Sequence, residues 1–600
     1  MHPPFVAMTW PAGDAPSRAP PASLAVAFRA NGWTLAGCRQ GLALWERPDR
    51  PLAVGDGPDH LLIGRWIGDP RRRQEAAGSL GGGVAAGARA LCRDGWGAYL
   101  ALIREADGRW WAFRDPSGAV EALTWTSGGC RLVASGLAGL PAGLLPDRLA
   151  LDWATIADQL RQPIAQAARS GLRGVCPIAP GDLQPLGATA EAAVAIWRPT
   201  DFLPSGPEVD ASWPERLAET IQTVVNRLLE PYDRFASEAS GGLDSSIVHA
   251  AAAQAGSTAR LVAALHYVGD RPEADERRWV ELLGRQYALP LVCLPLATGS
   301  IDPDADFALL ARDARPPFAA IDPERDRDTA RALESCGAQA LLTGKGGDAV
   351  FFQMPSAAVL ADLWAAGGLA AGRHPRHAEV AHWTRRSVWS LWLEGLARPP
   401  ARPAAGALGS LAGPGLAALA SGVPHPWLVD LDGAPPGKRL QIEALANSQL
   451  ALGPHRRGQV ADLVQPLLSQ PVMELCLSIP TWELVRGGRD RGLAREAFSP
   501  WLPEAITNRR SKGNLTSHYA RRTAASADIL REHLLDGVLV DAGLLDREAT
   551  EAALQPDALI WRADGIDLIG VAAVESWVRY WQTRAPDAPE ARRPGQAPWA

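Results

Sequence analysis

Between residues 235 and 344 the chain alternates short apolar runs with amphipathic ones. "RFASEA" reads as a strand and "SSIVHAAAAQAG" as a helix closed by Gly256. "RLVAALHYV" (260–268), "PLVCLPL" (290–296) and "QALLTG" (339–344) read as further strands. The helices "DERRWVELLGRQYA" (275–288) and "RDTARALESCGA" (327–338) fall between them. Strands that return in parallel need a crossover, usually a helix, so this order predicts a doubly wound parallel sheet. Ahead of it, "PERLAETIQTVVNRLLEPY" (214–232) sets Leu217, Ile221, Val224 and Leu228 on one helical face. Ligands of such sheets bind beyond the carboxyl ends of the strands, which directs attention to the loops there.

The first loop is "EASGGLDSSIVHAAAAQAG" (238–256). A Gly-Gly turn lets backbone N–H groups approach an anion with no Cβ in the way. The helix that follows, expected to start near Ser245, turns its positive end to the same spot. Ser240, Gly241, Gly242, Leu243, Asp244 and Ser245 therefore read as a pyrophosphate cradle, with Asp244 placed to hold Mg²⁺. The second loop, "LLTGKGGDAVFF" (341–352), again ends a strand with glycines and an acid. Gly344 and Gly346 extend the cradle, and Asp348 is a second metal ligand; both aspartates are expected to face solvent in a cleft. The Gly-Lys-Ser/Thr of a Walker-type loop is missing, which points away from γ-phosphate cleavage.

Elsewhere the chain is less informative. Its 600 residues imply more than one domain. The net charge of −6 gives no electrostatic reason for a nucleic-acid partner, and no apolar run approaches the ~20 residues of a membrane span. Seven cysteines without a CxxC pair suggest buried, reduced thiols in a cytoplasmic protein. The stretch 96–125 reads as extended segments broken by Asp-Gly and Pro-Ser-Gly turns. Residues 355–580 read as helix-rich, 397–415 as a mobile loop and 584–600 as a disordered tail. His374, His377 and His382 suggest a metal cluster by composition only, because no acidic or cysteine ligand accompanies them.

SGGLDSS resembles the loop of the PP-loop ATP pyrophosphatases, which cleave between the α- and β-phosphates. The wider pattern resembles the asparagine synthetase family. "FRDPSGAVEALTW" (113–125) and "GVCPIAPGDL" (174–183) are similar to segments of its N-terminal Ntn glutaminase domain. "RGQVADLVQPLLSQPVMELCLSIP" (457–480) resembles one of its helices, and "REAFSPWLPEAITNRRSKGN" (495–514) its lysine-bearing segment. The resemblance implies a degenerate glutaminase-like domain over 1–208 and an ATP-dependent synthetase domain over 209–583. It implies ATP and Mg²⁺, with Lys512 as a cation meeting pyrophosphate or the reacting phosphate.

Departures from the family pattern refine this. The glutaminase uses a cysteine directly after the initiator methionine; here Met1 is followed by His2, Pro3 and Pro4, and Cys38 is the first cysteine. That implies glutamine is not the nitrogen donor. The family's GEGSDE is replaced by Gly344-Lys345-Gly346-Gly347-Asp348-Ala349. Lys345, in a closed site, would either take a proton from an attacking amine or stay charged beside phosphate. With "VRGGRDRGLAREAF" (485–498), these features look most like a lasso-peptide cyclase. Such an enzyme adenylates an Asp or Glu side chain of a precursor peptide and closes a macrolactam with the N-terminal amine. A precursor peptide, a leader-binding protein and a leader peptidase are then the expected partners. An enlarged cleft, built by the helical last third over the two loops, would hold the peptide. An ammonia-dependent asparagine synthetase or other amide ligase is the alternative, and a catalytically dead ATP- or peptide-binding scaffold a further one.

Overall fold

The computed structural model describes residues 4–10, 22–57, 60–69, 83–147, 149–164, 169–187, 192–204, 206, 210–272, 275–317, 322–396, 408–422, 424–452, 455–510, 516–561 and 565–584. The tail from 585 and most of the 397–415 stretch lie outside these residues; within the latter, Gly409–Leu411 forms a 3₁₀ turn.

The N-terminal third builds two six-stranded sheets, in which every pairing is antiparallel. One sheet runs, from edge to edge, through Cys176–Pro177, Leu123–Ser127, Cys130–Ala134, Phe5–Thr9, Leu42–Glu46 and Thr34–Arg39. The other runs through Val194–Ala195, Asp182–Pro185, Trp110–Arg114, Gly95–Arg104, His60–Gly68 and Val54–Gly57. Alternation along one strand shows how they stack. Phe5 and Ala7 join Leu61, Ile63, Leu100 and Leu102 of the other sheet in a shared core. Val6 and Met8 point the opposite way, into a second core with C-terminal helices. The turn at Asp115 explains why the strands of 96–125 break where they do. Its carboxylate accepts N–H bonds from Tyr99 (3.1 Å) and Ser117 (2.8 Å). Buried Arg114 donates to the carbonyls of Gly118, Val120 and Ile178, tying the turn across both sheets.

The middle of the chain forms a five-stranded sheet in which every pairing is parallel. Its strands are β1 (Phe235–Glu238), β2 (Leu261–Val268), β3 (Leu291–Pro295), β4 (Ala340–Leu342) and β5 (Asp462–Val464), in the order β3-β2-β1-β4-β5. The helices that position it are α1 (Trp213–Leu229), α2 (Leu243–Gln254), α3 (Arg277–Tyr287) and α4 (Pro323–Cys336). Both faces are covered: Phe235 packs with Leu217, Ile221 and Ile247, whereas its neighbour Ala236 packs with Leu333 and Leu341. A parallel sheet buried on both sides is thus confirmed. β5 is a correction, because the 457–480 stretch reads as helical by resemblance; three residues at a sheet edge carry too little pattern to announce themselves. α4 starts at Pro323, earlier than its apolar spacing indicates, because Asp322 caps it through Arg325 N–H (3.3 Å).

The helix-rich last third divides. Helices such as Ala358–Gly367 and Gln470–Ser478 pack against the parallel sheet's core. Helices from Thr516 onward, ending in Gly565–Gln582, instead cover the outer face of the first antiparallel sheet. Only part of that third therefore overlies the glycine loops.

Candidate functional site

β1 is flanked by β2 on one side and β4 on the other, so the chain reverses its winding direction there. Such a switch point leaves a crevice at the strands' carboxyl ends. The loops after β1 and β4 both stand in it. They border a cleft of about 660 Å³ whose wall includes Ser240, Asp244, Lys345, Asp348, Arg491 and Arg510.

The first loop is tightly built. Gly241 has φ +70°, and a Cβ there would meet Trp279 Cβ at 2.8 Å. Gly242 caps α2, which begins at Leu243 rather than near Ser245. The first intrahelical bond is Ser246 N–H to the Gly242 carbonyl (3.1 Å), so the amides before it stand at the helix's positive end. Ser240 Oγ accepts from Gly242 N–H (3.2 Å) and lies 3.0 Å from Ser245 Oγ. Leu243 turns its side chain into the core and offers only its backbone. Behind the loop, His249 braces Ser245 through its carbonyl (2.6 Å) and Ser237 through its hydroxyl (2.7 Å). Burial lowers the pKa of His249, which favours the neutral ring. Arg509 donates to the Gly241 carbonyl (2.8 Å), pairs with Glu276 and lies over the Trp279 ring.

Contact between the loops explains the glycines of the second. A Cβ on Gly344 would sit 2.5 Å from Ser245 N, and one on Gly347 would sit 2.4 Å from Asp244 Cγ. Gly346 has φ +91° and would strike Leu468. Gly344 thus lies against the first loop's backbone, Gly347 against the Asp244 side chain, and Gly346 against Leu468 at a φ that favours glycine.

The aspartates differ from expectation. Asp348 is exposed, but Asp244 is buried, with a side chain 12% accessible. One group joins them: Arg491 Nη1 donates to Asp244 Oδ2 (2.9 Å) and to Asp348 Oδ1 (2.7 Å). Its other terminal nitrogen pairs with Asp490 at 2.7 Å. Burial opposes the guanidinium's charge, yet Asp244, Asp490 and Asp348 more than offset it and hold its pKa above the ordinary value. Arg491 sits in the left-handed region (φ +54°), and a Cβ on the following Gly492 would overlap the Arg486 carbonyl. This strained turn lies inside the "VRGGRDRGLAREAF" stretch, whose linear order gives Arg491 no distinct role. The available signal was an arginine-rich turn with paired glycines; nothing in the linear order shows which arginine meets the loops.

Lys345 is exposed on the cleft wall, not enclosed. Lys512 lies outside the described residues; Arg509 and Arg510, just before it, line the cleft. Among the described residues no group of three His, Cys, Asp or Glu side chains could hold a metal ion by itself. His377 is buried against Trp364 and Trp392, with Nδ1 on the His374 carbonyl (2.9 Å), so it serves packing. All seven cysteines are free, but Cys176 and Cys293 are exposed, correcting the expectation of buried thiols. Among the described residues no helix is long and apolar enough to cross a membrane.

No curated protein matches the chain. Among solved structures, a similar chain is the glutamine phosphoribosylpyrophosphate (PRPP) amidotransferase from B. subtilis complexed with ADP and GMP. The identity is 11%, over 51% of this chain and 68% of that one, with a TM-score of 0.15, too loose a superposition to carry an argument. The asparagine synthase family model matches residues 216–421 and 460–579, more than half of the chain. The match includes both glycine loops, Lys345 and Arg491, and the chain belongs to the asparagine synthase family.

Proposed function

We propose that the protein is an ATP-dependent lasso-peptide cyclase, with residues 1–208 a degenerate Ntn-type glutaminase-like domain and 209–583 the PP-loop synthetase domain. Family membership supports the coarser statement, an ATP-dependent amide ligase. The observation that carries the reading is the pair of loops at the switch point, with both aspartates drawn to one nitrogen of Arg491. A site that gathers glycine backbone, a helix N-terminus and a buried arginine suits a polyphosphate.

In this reading Ser240, Gly241, Gly242, Ser245 and the backbone of Leu243 cradle pyrophosphate, with Gly344 and Gly346 closing the floor. The donor set fits Mg²⁺, which takes one or two carboxylates and completes its shell with phosphate oxygens and water. Asp244 and Asp348 would hold it, and when bound it neutralises phosphate charge. Arg491 fixes both carboxylates and adds charge beside the leaving pyrophosphate. A substrate carboxylate oxygen bonds to the α-phosphorus of ATP as the bond to the bridging oxygen breaks. The amine nitrogen then bonds to the acyl carbon, the acyl carbon–oxygen bond breaks, and AMP leaves. The nitrogen sheds its surplus protons to water. Lys345 and Lys512 supply cationic charge along this path. Lys345 is exposed on the cleft wall, where its charge can face phosphate, which suits the electrostatic role. A leader-binding protein and a leader peptidase would deliver the core peptide.

The test is a synthetic leaderless peptide with a free N-terminus and an internal Asp or Glu. The expected products are AMP, pyrophosphate and a peptide lighter by one water, read by mass spectrometry. Release of ADP in place of AMP overturns the pyrophosphatase reading. A higher kcat/KM for free aspartate with ammonia replaces cyclase by asparagine synthetase. Glutamate release from glutamine is expected to be nil, since the first cysteine of the chain is Cys38, inside the strand Thr34–Arg39 and not an N-terminal nucleophile.

A further inference from the structure

Beside the nucleotide cleft lies a second cavity of about 580 Å³. Glu238, Arg325 and Lys345 line both cavities and form the wall between them. Most acids of the second cavity are committed to the frame. Asp322 caps α4 and accepts from Arg522 (3.2 Å). Asp306 pairs with Arg327, and Asp326 accepts the N–H groups of Arg456 (2.6 Å) and Arg457 (3.3 Å). Glu238 meets Arg457 at 3.4 Å.

Arg325 is held differently. Its guanidinium lies 4.5 Å from the centroid of the Tyr267 ring, and Nε is buried without a hydrogen-bond partner among the described residues. Burial opposes its charge, but Glu238 and Asp322 keep the pKa above the ordinary value from a distance. The guanidinium lines both cavities and has no carboxylate in ion-pair contact among the described residues, so its terminal nitrogens are the part an anion can reach. The planar match of this guanidinium fork is a carboxylate.

We propose that Arg325 receives the substrate carboxylate that is to be activated, and that the second cavity holds the peptide segment bearing it. This rests on the amide-ligase reading and names the substrate's entry side. The volume falls within the ~300–1,000 Å³ of pockets that bury drug-sized ligands, more than one free amino acid fills. The Tyr267 ring holds the guanidinium in the wall between the cavities, so the carboxylate docks on the side facing the nucleotide cleft. Arg325 then acts by positioning, before any bond changes.

The experiment is calorimetric titration of the full chain with N-acetyl-aspartate N-methylamide, which carries the carboxylate but no amine, in the presence of Mg²⁺ and α,β-methylene-ATP, whose α–β bridge cannot be cleaved. Arg325→Met is expected to weaken this probe by roughly ten- to hundredfold, a larger factor than its effect on MgATP affinity. Arg325→Lys should recover only part of the loss, because it keeps charge and loses the fork. Unchanged probe affinity in Arg325→Met, equal loss of probe and MgATP binding, or full recovery by lysine would each overturn the proposal. So would absence of probe binding to the wild type. Thermal melting identifies a misfolded Arg325→Met, in which case Arg325→Lys decides alone. Binding is read without turnover, so a protein that binds the probe at Arg325 but makes no AMP overturns only the ligase reading.

Discussion

The two glycine loops share a plan, each a strand end, glycines and an aspartate, yet their aspartates sit in opposite environments. The first is braced from behind by His249 and Ser237 and from the side by Arg509, and its Asp244 is buried. The second rests on the first through bare glycine backbone and keeps Asp348 and Lys345 exposed. The first loop is therefore a fixed platform and the second the side a substrate can reach. Arg491 is where the two are made to act together.

The sharpest way to break this contrast is to neutralise each aspartate. Asp244→Asn should lower ATP–pyrophosphate exchange by about 10³-fold or more and also destabilise the fold, since it disturbs a buried ion pair. Asp348→Asn should impair exchange strongly but cost no more than ~1 kcal/mol of stability in urea unfolding, as exposed pairs contribute little. Equal stability losses would show the two environments to be alike. Next, Arg491→Met leaves Asp244 buried without this cation and should cost about 3–5 kcal/mol. A stability loss no larger than that of Asp348→Asn would remove Arg491 as the shared anchor. Third, Gly347→Ala forces a Cβ against Asp244 and should cost roughly 1–3 kcal/mol, measured by thermal melting, with a parallel loss of exchange. Tolerance of alanine would mean that the loops are not in contact in solution.

The smallest effect concerns pH and the brace behind the first loop. His249 has a lowered folded pKa, so below about 6.5 the unfolded chain binds a proton that the folded chain resists. Its contribution to stability is thus present above that pH and lost as pH falls. His249→Gln should flatten the slope of stability against pH between about 7 and 5 by at most ~1.4 kcal/mol per unit. An unchanged slope would show that the ring is protonated in place.

Much of the fold was legible in the chain because local patterns suffice for it. Four of the five parallel strands and their crossover helices follow from apolar period and turn residues. Both loops follow from glycine at strand ends. β5 escaped because a three-residue edge strand leaves almost no periodic signal. In the site, Ser240, Asp244, Lys345 and Asp348 could be named because their neighbours in sequence form the loop that presents them.

Local chemistry, then, was settled by the sequence alone: strand, glycine turn, helix, and an acid at each of two strand ends. Tertiary structure decided what those acids face. Arg491 lies 247 residues from Asp244 and 143 from Asp348, and only the folded chain places its guanidinium between them. The same holds for Arg325, whose helix position gives no hint that it separates two cavities. Burial and long-range ion pairing depend on how elements pack, and packing has no signature within a short window of sequence.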